Sequence, residues 1–241
     1  MNIVGFGDSF IMQVGQYSPS YPHVYMSLIG KHFGVETESR GLSGSGPWNM
    51  FFDFMKYDKP IDVAIIAWSE ISRLYHPVVQ PLNTHNCLNT PITESTPFKE
   101  VYEAARDYYK YVSDHDHEQW EMKALMIMFD EFVTKKYPNT KFIHMPCFSW
   151  YSHDKWWGEL YDKIKPEEIV YHHDFKNGME IRPCLMYVSK NDDYPKNILK
   201  ETRENHITLK THRQLADAII HSIENYTPGK ITNLLDYGFN Q

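Results

Sequence analysis

The first residues in the chain able to do chemistry are Gly7-Asp8-Ser9-Phe10. A serine hydroxyl becomes a useful nucleophile only when a base takes its proton. Ser9 is placed for that work if it ends the first strand of an open parallel sheet, because such sheets bind ligands at the carboxyl ends of their strands. A helix starting just after it would add backbone N–H groups that favour developing negative charge. The same triplet is also an ordinary cap or turn, since Asp and Ser accept hydrogen bonds from the backbone that follows them.

Other clusters carry the right residue types with less persuasive spacing. Asp114-His115-Asp116-His117-Glu118 and His172-His173-Asp174 hold metal-ligand types, but contiguous runs rarely converge on one ion. They read as solvated polar breaks, and no metal site or organic cofactor is expected. Arg73 has a planar fork suited to a carboxylate partner or an anionic substrate. The pairs Trp150-Tyr151 and Trp156-Trp157 suit either packing or a substrate-stacking wall.

The elements that must position these groups alternate between strand-like and helix-like stretches. Residues 2–6 are short, apolar and β-prone, and residues 21–33 show helical spacing of Val24, Leu28, Ile29 and Phe33. A second strand is expected at 34–40, a Gly/Ser/Pro loop after it and a short helix at 48–57. The run IDVAIIAW at 61–68 fits a central strand buried on both faces. Residues 76–96 read as a long loop or insertion, and 97–137 as helical with a break at 114–118. A strand is expected at 140–147, an irregular aromatic-rich lid at 148–200 and a last helix at 207–226. Residues 227–241 read as a tail. This order predicts one domain over 1–226, a three-layer α/β/α sandwich with a mostly parallel five-stranded sheet of flavodoxin-like type.

The bulk numbers narrow the partners. A net charge of −7 without a basic stripe argues against nucleic acid. No apolar run approaches the ~18 residues of a membrane span. No signal peptide is visible at the amino terminus, so a cytoplasmic or virion-associated location is expected. Cys87, Cys147 and Cys184 are too few and too widely spaced for a disulfide framework. Seventeen Tyr and six Trp point to a large aromatic core or to ring-lined contact surfaces.

At the carboxyl end, His206 precedes the last helix, with Thr208, His212, Leu215 and Ala216 following it. With Gly-Asp-Ser at the amino end, this layout resembles the SGNH/GDSL hydrolase family, including members encoded by bacteriophages. The resemblance implies Ser9 as nucleophile and His206 as its base. It also implies an oxyanion hole built from the Ser9 and Gly44 N–H groups, Gly44 standing in Gly41-Leu42-Ser43-Gly44. Two family positions are changed. The third block normally carries an Asn after the third strand, where this chain has Trp68-Ser69-Glu70, so Ser69, the Trp68 indole or Arg73 would have to substitute. The acid usually three residues before the histidine is Arg203 here, leaving Glu204, with Asp192 and Asp193 as fallbacks.

Asp8, Trp68, Glu70 and Arg73 are the expected substrate contacts. The implied reaction is hydrolysis of a small ester or of O-acetyl groups on a glycan. The two changed positions leave open a weakly active or inactive binding module, as in a phage virion, and an acyltransferase would use the same Ser9 and His206. A homo-oligomer or virion assembly would use the 76–96 loop and the tail.

Overall fold

The computed structural model describes residues 1–11, 25–79, 81–147, 175–182, 185 and 209–239. Its centre is a parallel sheet. The elements run β1 (Ile3–Gly7), α1 (Tyr25–Phe33), β2 (Thr37–Gly41), α2 (Pro47–Lys56), β3 (Val63–Trp68), α3 (Lys99–Tyr111), α4 (His115–Met128), α5 (Thr134–Lys136), β4 (Lys141–Pro146), β5 (Met179–Arg182), α6 (Leu209–Glu224) and β6 (Ile231–Asn233). The strands lie in the order β2-β1-β3-β4-β5-β6, and every pairing is parallel.

Side-chain alternation along the strands explains the three layers, because successive residues point to opposite faces of a sheet. Ile3, Val63, Ile65 and Ala67 pack with Met26 and Ile29 of α1 and with Leu215, Ile219 and Ile223 of α6. Val4, Phe6, Ala64, Ile66 and Trp68 pack on the other face with Met50 and Phe54 of α2 and Leu125 and Met126 of α4. Strands buried on both faces need no polar alternation, so β1 and β3 are unbroken apolar runs. The edge strand β2 is polar instead. Its Arg40 makes a two-pronged contact with Asp53, at 2.7 and 2.8 Å.

The described residues hold six strands, one more than expected. The extra strand is β6, in the segment read as a tail. It pairs with β5 from Glu180↔Ile231 to Arg182↔Asn233, and the Ser222 and Thr232 hydroxyls meet at 2.7 Å to tie it to α6. Strand β5 itself lies inside the stretch read as an irregular lid. Buried Asp130 sets up its approach: its carboxylate accepts the Lys176 and Asn177 N–H groups, both at 2.9 Å. Asp130 sits in a π-helical turn, Phe129–Val133, that interrupts the α4–α5 run.

Asp114, placed in a polar break, caps α4 by accepting the His117 N–H at 2.8 Å. No group of three or more metal-ligating side chains is gathered among the described residues. The His172-His173-Asp174 run, the four-ring stretch around Trp156 and the region 191–206 lie outside them. No helix among the described residues is long and apolar enough to cross a membrane.

The 76–96 insertion is folded. Leu74 and Leu82 form an antiparallel bridge at its root, and His85–Asn89 make a π-helical turn. Val79, Leu82 and Cys87 bury against Ala105 of α3. Burial pushes the Cys87 thiol up to about 11. Only the thiolate reacts with alkylating agents, so roughly a thousandth of Cys87 is reactive at pH 8. Iodoacetamide is expected to leave Cys87 unmodified in the native protein over an hour and to modify it fully in guanidinium. Peptide mass spectrometry reads both, and native modification at the denatured rate would contradict the packing.

Candidate active site

Strand β1 ends at Gly7, where nothing larger fits. A Cβ at Gly7 would stand 2.7 Å from Ala67 Cβ and 2.8 Å from its carbonyl oxygen on neighbouring β3. The chain then turns over Asp8–Ile11, closed by the Ile11 N–H donating to the Asp8 carbonyl at 3.1 Å. Inside this turn Asp8 Oδ1 accepts the Phe10 N–H at 3.0 Å. Ser9 lies between the two bonds, half-buried, at the ligand-binding end of a central strand.

The Gly41–Gly46 loop, after β2, is sewn to the same strand end. The Gly7 carbonyl accepts the Leu42 N–H at 3.2 Å and the Ser45 hydroxyl at 3.2 Å. Gly44 between them has φ of 76°, in the left-handed region that glycine tolerates best. A Cβ there would also stand 2.6 Å from Pro81 Cβ at the root of the insertion. Ser9 and Gly44, singled out separately in the sequence, are thus carried by two turns that share one carbonyl.

The segment after β3 completes the layer beneath. Arg73 Nη1 lies 2.8 Å from Asp8 Oδ2, 2.9 Å from Ser69 Oγ and 3.2 Å from the Ser45 carbonyl. Arg73 Nε stands 3.5 Å from the Glu70 carboxylate. The Ser69 hydroxyl is 2.8 Å from the Ser45 carbonyl and 3.1 Å from Asp8 Oδ2, and its single proton is committed to those acceptors.

Several of the expected site residues are turned inward. Ser69 was expected to donate its side chain to an oxyanion, but it is fully buried and hydrogen-bonded inward. Asp8 and Trp68, expected to touch substrate, are also fully buried. The Trp68 indole donates to His144 Nδ1 at 3.2 Å within the core. Arg73 is held by its internal carboxylate rather than left for an anionic substrate. Of the four expected substrate contacts, Glu70 alone keeps a half-buried position. Glu204, His206, Asp192 and Asp193 lie outside the described residues.

The first turn of α6 approaches the serine turn through a short relay. His212 stacks on Tyr25, with ring centres 5.9 Å apart, and its Nδ1 accepts the Tyr25 N–H at 3.4 Å. The Tyr25 hydroxyl donates to the Phe10 carbonyl at 2.6 Å. Burial, with smaller contributions from Cys147 and Asp8, raises the Tyr25 phenol well above its usual value, so it stays a neutral donor. Neither Tyr25 nor Ser45 was singled out in the sequence. A tyrosine opening the first helix after Gly-Asp-Ser was the available signal.

Beside the insertion root lies a groove of about 500 Å³. Val79, Asn86, Thr90, Ile92, Phe98 and Tyr102 line it, and none of the described residues that line it is charged. Phe98 opens α3 with left-handed φ and ψ of 57° and 40°, and 55% of its surface is exposed.

Together these features define a doubly wound α/β domain with a half-exposed serine at the carboxyl end of its strands. The chain is similar to a G-D-S-L family lipolytic protein of Desulfitobacterium hafniense DCB-2, with 14% identity over 61% of this chain and 59% of that one, and a TM-score of 0.30. It is similar to an extracellular lipase from Streptomyces rimosus, with 15% identity over 63% and 62% of the two chains and a TM-score of 0.36. It is also similar to a mutant acetyl-xylooligosaccharide esterase from Geobacillus Stearmophilus, with 13% identity over 92% and 93% and a TM-score of 0.48. The chain therefore spans about three fifths of the length of the first two. No protein-family model matches the sequence, and no curated protein matches it. The fold follows from the sheet order itself, and a fold does not fix a function.

Proposed function

We propose that this domain is a serine esterase, with Ser9 as nucleophile, His206 as general base and acid, and Glu204 orienting the histidine. The observation that carries this is the shared Gly7 carbonyl. It joins the Ser9 turn to the Gly44 loop through Leu42 and Ser45, the arrangement needed if both backbone N–H groups are to serve one oxyanion. Reach supports the histidine. The described part of α6 starts at Leu209, three residues after His206, and three residues span at most about 10 Å. That helix end is tied to Phe10 by the His212–Tyr25 relay.

In the proposed cycle His206 takes the Ser9 proton as Oγ attacks the ester carbonyl. The Ser9 and Gly44 N–H groups stabilise the oxyanion, and the tetrahedral intermediate collapses as His206 protonates the departing alcohol. Water, deprotonated by His206, then attacks the acyl-serine, and the carboxylic acid leaves as His206 returns the proton to Ser9 Oγ; the acid then ionises in solvent. Hydrolysis of p-nitrophenyl acetate by wild type and by Ser9→Ala tests the reading. Turnover that the substitution removes supports it, and equal rates at the buffer level favour a binding module.

An O-acetylated carbohydrate is the substrate class we favour. The uncharged groove combines rings with amide and hydroxyl groups, the mixture that suits a neutral, hydroxyl-rich ligand. Phe98→Ala is expected to raise KM for an O-acetylated oligosaccharide about fivefold, the equivalent of roughly 1 kcal/mol of ring contact. Its kinetics with p-nitrophenyl acetate should be unchanged, because that small ester needs the Ser9 site and not the groove. An equal effect on the two substrates, or none on either, would remove the groove from substrate binding.

A further inference from the structure

Arg73 has no place in the chemistry proposed above, yet its side chain is only 9% exposed and is paired with Asp8, the residue before Ser9. One nitrogen, Nη1, reaches three segments that are far apart in sequence: Asp8 at 2.8 Å, Ser69 at 2.9 Å and the Ser45 carbonyl at 3.2 Å. Each contact continues toward the site. Asp8 holds the Phe10 N–H with its other oxygen, fixing the turn that carries Ser9. Ser45 holds the Gly7 carbonyl with its hydroxyl, fixing the loop that carries Gly44. The peptide backbone of Arg73 also abuts Gly46, where a Cβ would stand 2.3 Å from the Arg73 carbonyl oxygen.

We propose that Arg73 is a positioning residue, which holds the Ser9 turn and the Gly44 loop in catalytic register through Asp8 and Ser45. The proposal rests on the esterase reading. Its physical basis is that Asp8 is fully buried. A buried carboxylate is tolerated only when paired and hydrogen-bonded, so removing the guanidinium frees the turn to rearrange. A misplacement of about 1 Å at a reacting group lowers the rate by roughly a hundredfold. The effect is expected in kcat rather than KM, because the Arg73 side chain is only 9% exposed and its approach to the half-buried Glu70 carboxylate is a long one, 3.5 Å from Nε. Nη1 makes all three contacts, so a lysine ammonium, with three donors of its own, can restore part of the network.

The test compares wild type, Arg73→Met and Arg73→Lys. In p-nitrophenyl acetate hydrolysis, Arg73→Met is expected to lose about a hundredfold in kcat with KM unchanged, and Arg73→Lys to recover at least a tenfold part of that loss. Amide hydrogen exchange gives a second readout that needs no turnover. Protection of the Phe10 and Leu42 N–H groups should fall at least tenfold in Arg73→Met while Ile65 in β3 stays protected. A kcat within about twofold of an active wild type overturns the proposal, as does unchanged exchange at Phe10 and Leu42. An inactive wild type whose Arg73→Met variant still loses that protection overturns the esterase reading instead. Should Arg73→Met fail to fold, Asp8→Asn combined with Arg73→Met removes both buried charges and is read in the same way.

Discussion

Ser9→Ala is expected to bring p-nitrophenyl acetate hydrolysis down to the buffer rate, the largest functional effect available in this chain. Removing the nucleophile of a serine hydrolase lowers kcat on the order of 10⁶-fold, and the variants that retain some rate do so through their oxyanion donors. On the proposed esterase reading those donors are the backbone N–H groups of Ser9 and Gly44, because the Ser69 hydroxyl is committed to Asp8 and Ser45. A missing donor lowers the rate roughly 10²–10³-fold, so wild-type turnover should itself be slow and little should survive in the variant. His206→Ala should match Ser9→Ala, since the two act as a unit. Glu204→Ala should be milder by one to two orders of magnitude, because an acid that only orients the ring is partly dispensable. Matching rates for wild type and Ser9→Ala, both above the buffer, would move the chemistry to another group.

The parts of the fold legible in the sequence were those set by burial on both faces. IVGFG and VAIIAW admit few readings other than central strands. The last helix was legible because only one of its faces is buried, so that Leu215, Ile219 and Ile223 recur on one side. Strand β6 has three residues, ITN, too few to display a period of two. It exists because β5 offers an unpaired edge and because Thr232 finds the Ser222 hydroxyl. At the site, the types were legible and the directions were not. Arg73 was recognisable as a residue wanting a carboxylate. That the carboxylate is Asp8, 65 positions earlier, follows from the β1–β3 pairing, which no local pattern encodes. Trp68 and Ser69 read as cleft residues because they end a strand at the ligand side. They are buried because His144 and Ser45 supply internal partners for their polar atoms.

Gly46→Ala is expected to have the largest effect on stability among the glycine substitutions near the site, for a reason unrelated to glycine's flexibility. Its φ of −88° and ψ of 172° suit any residue, so the obstacle is purely one of space. The added methyl would meet the Arg73 carbonyl oxygen at 2.3 Å and its carbon at 3.2 Å. That carbonyl is backbone and no rotamer change removes it. Nor can either segment easily withdraw: the neighbouring Leu74 N–H is bonded to the Leu82 carbonyl at 2.9 Å, and Gly46 opens α2 by accepting the Asn49 and Met50 N–H groups at 3.1 and 3.3 Å. Overpacking against backbone is expected at the upper end of the usual range, about 3 kcal/mol, which for a domain of this size lowers Tm by roughly 6–12 °C. Gly34→Ala separates space from strain. Gly34 has nothing within 4 Å of its absent Cβ but a φ of +66°, so it should lose about 1 kcal/mol from backbone strain alone and roughly 2–4 °C. Thermal melts of the two variants beside wild type decide the matter. If Gly46→Ala melted no lower than Gly34→Ala, the close contact between the serine-side loop and the Arg73 turn would not exist as described. The clamp on Ser9 would then lose its support.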